Sequence, residues 1–216
     1  MAGGGVASPH DPIDVTQYTE AEMRAAVEAA ENWGTYVMVH AYTPRSIQQA
    51  IRAGVRCIEH GHLMDEPTAE LMAKSGTWWS LQPFLDDEDA VPLSDPASRA
   101  KQLQIIEGTD RAYALARKHG IKVGWGTDTL FDEALASRQG RQLAKMTRWY
   151  SAAEVLVAAT SGNAQLLALC GERNPYAGRI GVVESGALAD PDRSLALIMK
   201  DGVIYQGAQR ETNARE

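Results

Sequence analysis

The sequence predicts an α/β fold in which short parallel strands alternate with helices. Two observations predict it: apolar runs of strand length recur roughly every 20 residues, and capped amphipathic segments of helical length separate them. The strand segments are short and rich in β-branched residues, as is typical of strands buried in a parallel sheet. The predicted strands are 36–39, 55–59, 77–81 and 121–126, and the predicted helices are 20–33, 46–53, 66–74 and 98–119.

Caps decide where several of these helices begin. Thr19 and Glu22 form a predicted capping box ahead of the first helix, after a Gly- and Pro-rich loop. Ser151 and Glu154 form a second capping box in a helical region that follows the last predicted strand. Thr43 is expected to cap the second helix, which has proline in its first turn.

The pattern changes after residue 174, which predicts two units. Residues 1–174 carry the alternating strand and helix pattern, whereas 175–216 are dominated by Gly-rich turns and short strands. Within this tail, 200–205 reads as a hairpin with an Asp-Gly turn. The second unit is therefore expected to be a small β element.

Composition excludes some partners. The formal net charge of -7 is spread along the chain, and nucleic-acid binding needs clustered Lys and Arg, so we expect no nucleic-acid partner. No uninterrupted apolar run approaches the roughly 18–20 residues of a membrane span, and the first residues lack a signal-peptide pattern. We therefore expect no membrane association and a cytoplasmic location.

Three potential metal ligands stand at the ends of predicted strands: His40, His60 and Asp128. The carboxyl ends of parallel strands carry the chemistry in barrel enzymes, and two histidines with a carboxylate suit zinc or a similar divalent ion. Such an ion activates water, and an aspartate beside it can accept the water proton. Spacing alone is a weak signal, because a lone histidine is more often a packed or surface residue.

Several segments resemble signatures of one enzyme family. Residues 39–42, 54–61 and 125–128 are similar to the strand-five, strand-six and strand-eight motifs of the amidohydrolase superfamily. The likeness is to its imidazolonepropionase-like and Xaa-Pro dipeptidase (prolidase-like) branch. Residues 151–164 resemble that family's post-barrel helix, and 178–190 resemble the return to its small β-sandwich.

This resemblance implies a fold and an activity. The fold would be the C-terminal half of a TIM-type (β/α)8 barrel, with strands about four to eight and post-barrel helices in 1–174. Residues 175–216 would be a partial small β-sandwich domain. The activity would be metal-dependent hydrolysis of an amide bond, in a dipeptide or a cyclic amide, by metal-activated water.

The resemblance also implies roles for individual residues. His40, His60 and Asp128 would bind the metal, with Asp128 also acting as general base. Tyr42 and His62 would contact the substrate, although a packing role for either side chain stays open.

Some family features are missing from the sequence. No His-x-His motif precedes His40, no lysine precedes the glycines at 3–5, and the segment that follows Asp190 in the family is replaced by Pro191 and its neighbours. We therefore expect that part of the barrel and up to three ligands are absent. Two main hypotheses follow. One is a hydrolase whose missing half is supplied by another chain or was lost in a truncated gene model. The other is a non-catalytic fragment that hides its open sheet edges by forming an oligomer. A third, an unrelated α/β binding module, requires the histidines to be coincidental.

Overall fold

Four parallel strands form one sheet in the computed structural model, and they lie side by side in their order along the chain. The structure describes residues 1–129, 132–176 and 180–181, and the backbone of 197–200 and 203–207. This arrangement confirms the predicted α/β class. The strands are β1 (Met38–Ala41), β2 (Cys57–His60), β3 (Trp78–Ser80) and β4 (Val123–Gly124).

Helices follow the first three strands, and another precedes β1. The capping box of Thr19 and Glu22 is confirmed, since the Thr19 N–H donates to the Glu22 carboxylate at 2.8 Å and the Glu22 N–H donates to the Thr19 hydroxyl at 3.3 Å. Thr43 occupies the N-cap position of the second helix, as predicted, but its hydroxyl lies 3.1 Å from the Ser46 hydroxyl and accepts no backbone N–H of the helix. The helices are α1 (Glu20–Asn32), α2 (Pro44–Ala53), α3 (Glu66–Ser75) and α4 (Pro96–His119).

The sheet presents two different faces. Val39, Ile58 and Trp79 are paired across β1, β2 and β3, and they belong to the core that packs under α2, α3 and α4. Because successive side chains on a strand point to opposite faces, the next row lies on the other face. That row is His40, Glu59, Ser80 and Gly124.

The chain beyond β4 is helical, as predicted. It contains α5 (Glu133–Ala136), α6 (Gln139–Lys145), α7 (Ala152–Val157) and α8 (Asn163–Leu167), with a π-helical turn at Ala158–Gly162 between the last two. The capping box of Ser151 and Glu154 is confirmed at the start of α7.

Helix α8 satisfies the free edge of β4. The Asn163 side chain accepts the Trp125 N–H and donates to the Trp125 carbonyl, both at 2.9 Å, as a neighbouring strand would. About one helical turn after Asn163, Leu166 packs against Cys57 and Trp78 on the sheet face that carries His40. The helix therefore replaces both a strand partner and part of a core at this edge.

The helical segment Ala152–Arg173 has the length and apolar composition of a membrane-spanning helix, and it is largely exposed. Polar residues such as Thr160 and Asn163 interrupt this segment, so it is not an uninterrupted apolar run. The predicted absence of membrane association stays a prediction.

The tail contains the predicted hairpin. Strands β5 (Leu197–Lys200) and β6 (Val203–Gly207) pair antiparallel, with an irregular register between Ile198 and Met199. The Asp-Gly turn itself and most of the predicted β unit at 175–216 lie outside the described residues, so the predicted division at residue 174 stays a prediction.

Candidate active site

A cavity of about 400 Å³ lies at the carboxyl end of the sheet. His40, Tyr42, His60 and Asp128 all line it. His40 lies in β1, Tyr42 follows that strand directly, and His60 is the last residue of β2. Asp128 follows β4. The structure thus brings four of the five predicted site residues to one cavity, although nothing in it tests their chemical roles.

His40 has one ring nitrogen fixed by the N-terminal loop. Its Nε2 lies 2.8 Å from the carbonyl oxygen of Gly4. Because a carbonyl only accepts hydrogen bonds, Nε2 carries the proton and Nδ1 keeps its lone pair. Burial lowers the pKa of His40, which favours the neutral ring that metals bind.

His60 has the opposite tautomer. Its Nδ1 lies 2.9 Å from the side-chain oxygen of Gln82, so Nε2 keeps the lone pair. Burial lowers the pKa of His60 to about 3, and the neighbouring rings of His40 and His62 act in the same direction. The two rings of His40 and His60 meet edge to face with centroids 4.6 Å apart.

The backbone at two predicted ligands is unusual. His60 (φ 71°) and Asp128 (φ 53°) are the non-glycine residues with positive φ in the described part of the chain. Side chains disfavour this conformation, and such strain concentrates at functional sites. The Trp79 indole N–H supports it at His60 by donating to the His60 carbonyl at 2.5 Å. Gly61 (φ 69°) must stay glycine, since a Cβ there would lie 2.7 Å from the Trp79 indole nitrogen.

Asp128 is an exposed carboxylate at the cavity wall. Partial desolvation by the surrounding residues raises its pKa, which makes the group a better proton acceptor than a fully solvated aspartate. The pKa of the Tyr42 hydroxyl is also raised. Burial is the larger cause, and the negative charge of Asp128 is the smaller one.

Tyr42 and His62 differ in position. Tyr42 lines the cavity and stacks on His60 with centroids 4.9 Å apart. His62 is fully buried, stacks on Phe84 at 4.9 Å and donates from Nε2 to the Gln82 backbone carbonyl at 2.9 Å. It is absent from the cavity lining, so the predicted substrate contact of His62 gains no support from its position.

One wall of the cavity is largely apolar. It comes from the loop after β3 and from one side of α4. Its apolar side chains are Phe84, Leu85, Val91, Leu93, Ile105 and Ile106. Such a pocket, with few convergent polar groups, is typical of small-molecule sites.

The three predicted ligands share the cavity without closing to coordination distance. In the described part of the chain, the group whose ligand atoms all lie within 4.8 Å of one another is instead Glu66, Glu70 and His119. That group is on the surface, and the Glu66 carboxylate already accepts from Lys118 (2.6 Å) and His119 (2.5 Å). Asp128 comes from a strand that does not neighbour those of the histidines, because β3 lies between β2 and β4.

The chemistry of His40, His60 and Asp128 nevertheless fits a divalent ion. Each ring is neutral. In each ring one nitrogen carries a proton that it donates to a fixed acceptor, and the other nitrogen is unprotonated. Histidines that bind metals in proteins have this arrangement: one ring nitrogen binds the metal, and the N–H of the other donates to an oxygen such as a backbone carbonyl.

The residues that support the histidines were not predicted from the sequence. They are Gln82, Trp79 and Gly4, the last through its carbonyl. Gln82 lies two residues after β3, so the strand-end signal that pointed to His60 was also present there. The role of the Gly4 carbonyl carried no side-chain signal at all.

Known proteins resemble this chain in sequence. The profile of the amidohydrolase family matches residues 1–190. The chain is 31% identical over 134 residues to the ochratoxinase of Aspergillus niger, covering 60% of this chain and 28% of that enzyme.

Solved structures show the same fold over almost the whole chain. A prolidase complexed with N-methylphosphonate-L-proline is 32% identical with a TM-score of 0.74, and it matches 95% of this chain and 53% of its own. A structure described as an amidohydrolase is 34% identical with a TM-score of 0.73, over 96% and 53% of the two chains. A Xaa-Pro dipeptidase with methionine in its active site is 26% identical with a TM-score of 0.73, over 95% and 53%.

These matches define the class of protein: the chain belongs to the amidohydrolase family. It spans about half the length of the solved relatives and 28% of the ochratoxinase.

Proposed function

We propose that this chain supplies the metal-binding and proton-transferring residues of a metal-dependent hydrolase that cleaves C–N bonds. The observation that carries the proposal is the meeting of His40, His60 and Asp128 at one cavity, with both rings neutral and one nitrogen of each left for a ligand. Family membership supports it. In this proposal the sheet is the C-terminal part of a (β/α)8 barrel, and the tail belongs to a small β-sandwich.

The metal would be held by Nδ1 of His40, Nε2 of His60 and a carboxylate oxygen of Asp128, a set suited to zinc. A bound ion of this kind lowers the pKa of water to about 7 and polarises the carbonyl group under attack.

Asp128 would act as general base. It would accept a proton from the attacking water and pass it to the leaving nitrogen. Partial desolvation raises the pKa of Asp128, so the carboxylate holds a proton more readily during this transfer. Tyr42 keeps its hydroxyl proton at neutral pH, because burial raises its pKa, and it would donate a hydrogen bond to the substrate.

The substrate would be an amide with an apolar group beside the scissile bond, either a dipeptide or a cyclic amide. The apolar wall of the cavity supports the proposal of an apolar group in the substrate. That wall includes Phe84, Val91, Leu93, Ile105 and Ile106. The names of the relatives, a prolidase, a Xaa-Pro dipeptidase and an ochratoxinase, support a small-molecule substrate.

A second candidate is a subunit or fragment that becomes catalytic only when further strands are supplied by another chain or a second copy. Two observations favour it: the three ligands do not close to coordination distance, and Met38 on the edge strand β1 is 43% exposed. The predictions of no nucleic-acid partner, no membrane and a cytoplasmic location stay predictions.

Zinc titration of the chain tests the proposal. Wild type and the His10→Ala variant, which alters an exposed loop histidine, should bind zinc alike, and His40→Ala and His60→Ala should lose binding. Equal binding by all four proteins would refute the metal site.

Hydrolysis of Xaa-Pro dipeptides with aromatic or charged first residues then tests the activity, and the aromatic ones should be preferred. Zinc binding without turnover, together with light scattering that shows a monomer, would favour the second candidate.

A further inference from the structure

One buried side chain joins the ends of β2 and β3 beside His60. Gln82 follows β3, is 2% exposed, and uses its side-chain amide and its backbone carbonyl at once. Its Oε1 lies 2.9 Å from Nδ1 of His60. Its Nε2 lies 3.3 Å from both the Glu59 carboxylate and the Ser80 carbonyl. Its backbone carbonyl accepts from Nε2 of His62 at 2.9 Å.

These neighbours fix which way the Gln82 amide points. A carbonyl such as that of Ser80 only accepts, and a carboxylate such as that of Glu59 accepts when ionised, so the NH2 group of Gln82 must face them. The amide oxygen then faces His60, and the hydrogen bond requires a proton on Nδ1 of His60. A neutral imidazole has one N–H, so Nε2 of His60 is left with its lone pair.

We infer that Gln82 is a positioning residue that sets the tautomer of His60 and thereby presents the Nε2 lone pair to a ligand in the cavity. The inference rests on the proposed metal site, but it concerns a residue outside the ligand set. If Gln82 offered no acceptor, a proton on Nδ1 of His60 would be buried without a partner, which is unfavourable. The proton would then move to Nε2, where a metal would otherwise bind.

Ring-nitrogen NMR of the full chain, without added metal and at mildly alkaline pH, reports the tautomers directly. In wild type we expect the Nδ1–H form for His60 and the Nε2–H form for His40 and His62. Gln82→Leu should convert His60 to the Nε2–H form. His62 serves as an internal reference, because it donates to the backbone carbonyl of residue 82, which the substitution leaves in place.

Two variants separate positioning from packing. Gln142→Leu is the matched control: Gln142 is also buried (5% exposed), lines the same cavity, and donates to Thr129 rather than to a histidine. It should leave every histidine tautomer unchanged. Gln82→Glu keeps an acceptor oxygen and should retain the Nδ1–H form of His60.

Zinc affinity gives the second measurement. Gln82→Leu should weaken zinc binding by about 10–100-fold, the usual loss for a residue that orients a ligand, whereas Gln142→Leu should not. An Nδ1–H form of His60 that persists in Gln82→Leu would overturn the inference, and so would equal tautomer shifts in Gln82→Leu and Gln142→Leu. A tautomer change without weaker zinc binding would also overturn it. If wild type binds no zinc but His60 still responds to Gln82, the proposed metal site fails and the tautomer assignment stands.

Discussion

Replacing Gly108 with alanine should destabilise the protein, although alanine is the better helix former. Gly108 lies in the middle of α4, where alanine improves helix propensity by about 1 kcal/mol. A Cβ at this position would lie 2.3 Å from the carbonyl oxygen of His62 and 3.1 Å from its carbonyl carbon. Helix α4 therefore crosses the backbone after β2 at a distance that only glycine permits.

The magnitude follows from the atoms in conflict. They belong to backbone, not to the end of a flexible side chain, so α4 or the His62 segment must move by about 1 Å, and overpacking of this kind costs about 1–3 kcal/mol. After the gain in helix propensity of about 1 kcal/mol, we expect a net loss of up to about 2 kcal/mol in the free energy of unfolding. This corresponds to a melting temperature lower by up to about 8 °C.

Gly140→Ala is the matched control. Gly140 lies in the first turn of α6, is exposed, and has no atom within 4 Å of the position of a Cβ. Alanine there should raise the free energy of unfolding by about 0.5 kcal/mol. Urea denaturation of both variants measures the difference, and a change of the same sign in the two would refute the close approach of α4 to His62.

Three further predictions concern the edge of the sheet, the N-terminal loop and pH. Asn163→Ala should lower the free energy of unfolding by about 2 kcal/mol, because two hydrogen bonds to Trp125 are lost. Asn174→Ala, which removes one hydrogen bond to the Tyr176 N–H, should lower it by less than half as much, and equal losses would contradict the strand-like role of Asn163. Lys101→Met should speed hydrogen exchange over 3–11, because the Lys101 ammonium donates to the carbonyls of Gly5, Ser8 and Asp11 at 2.6–2.8 Å; Lys74→Met, on the exposed side of α3, should not, and unchanged exchange in both would show that the loop is held by other contacts. Burial lowers the pKa of His62 from 6.5 to about 4, so the folded state binds fewer protons than the unfolded chain. The free energy of unfolding should therefore be about 3 kcal/mol higher above pH 6.5 than near pH 4, because protonating the buried ring opposes folding. Urea denaturation across this range should show a flatter profile for His62→Leu than for His10→Leu, and identical profiles would contradict it.

Local signals in the sequence determined much of the fold. Strand length, β-branched content and capping residues act within a few residues, so the four strands, the four long helices and both capping boxes could be predicted before any contact was known. The same signals located His40, His60 and Asp128, because strand ends are local features and parallel strands end at a common edge.

Only the tertiary structure decided how these residues are held. The Gly4 carbonyl at His40, the Gln82 amide at His60 and the Trp79 indole at the His60 carbonyl join segments that are 19 to 36 residues apart. No local pattern specifies such contacts, since they depend on strand register and helix packing. The same holds for Gly108, whose need for glycine comes from the backbone of another element. The sequence by itself therefore determined that His40, His60 and Asp128 reach the cavity, and the packing of the chain determined the tautomers of the two histidines and the degree of burial of all three residues.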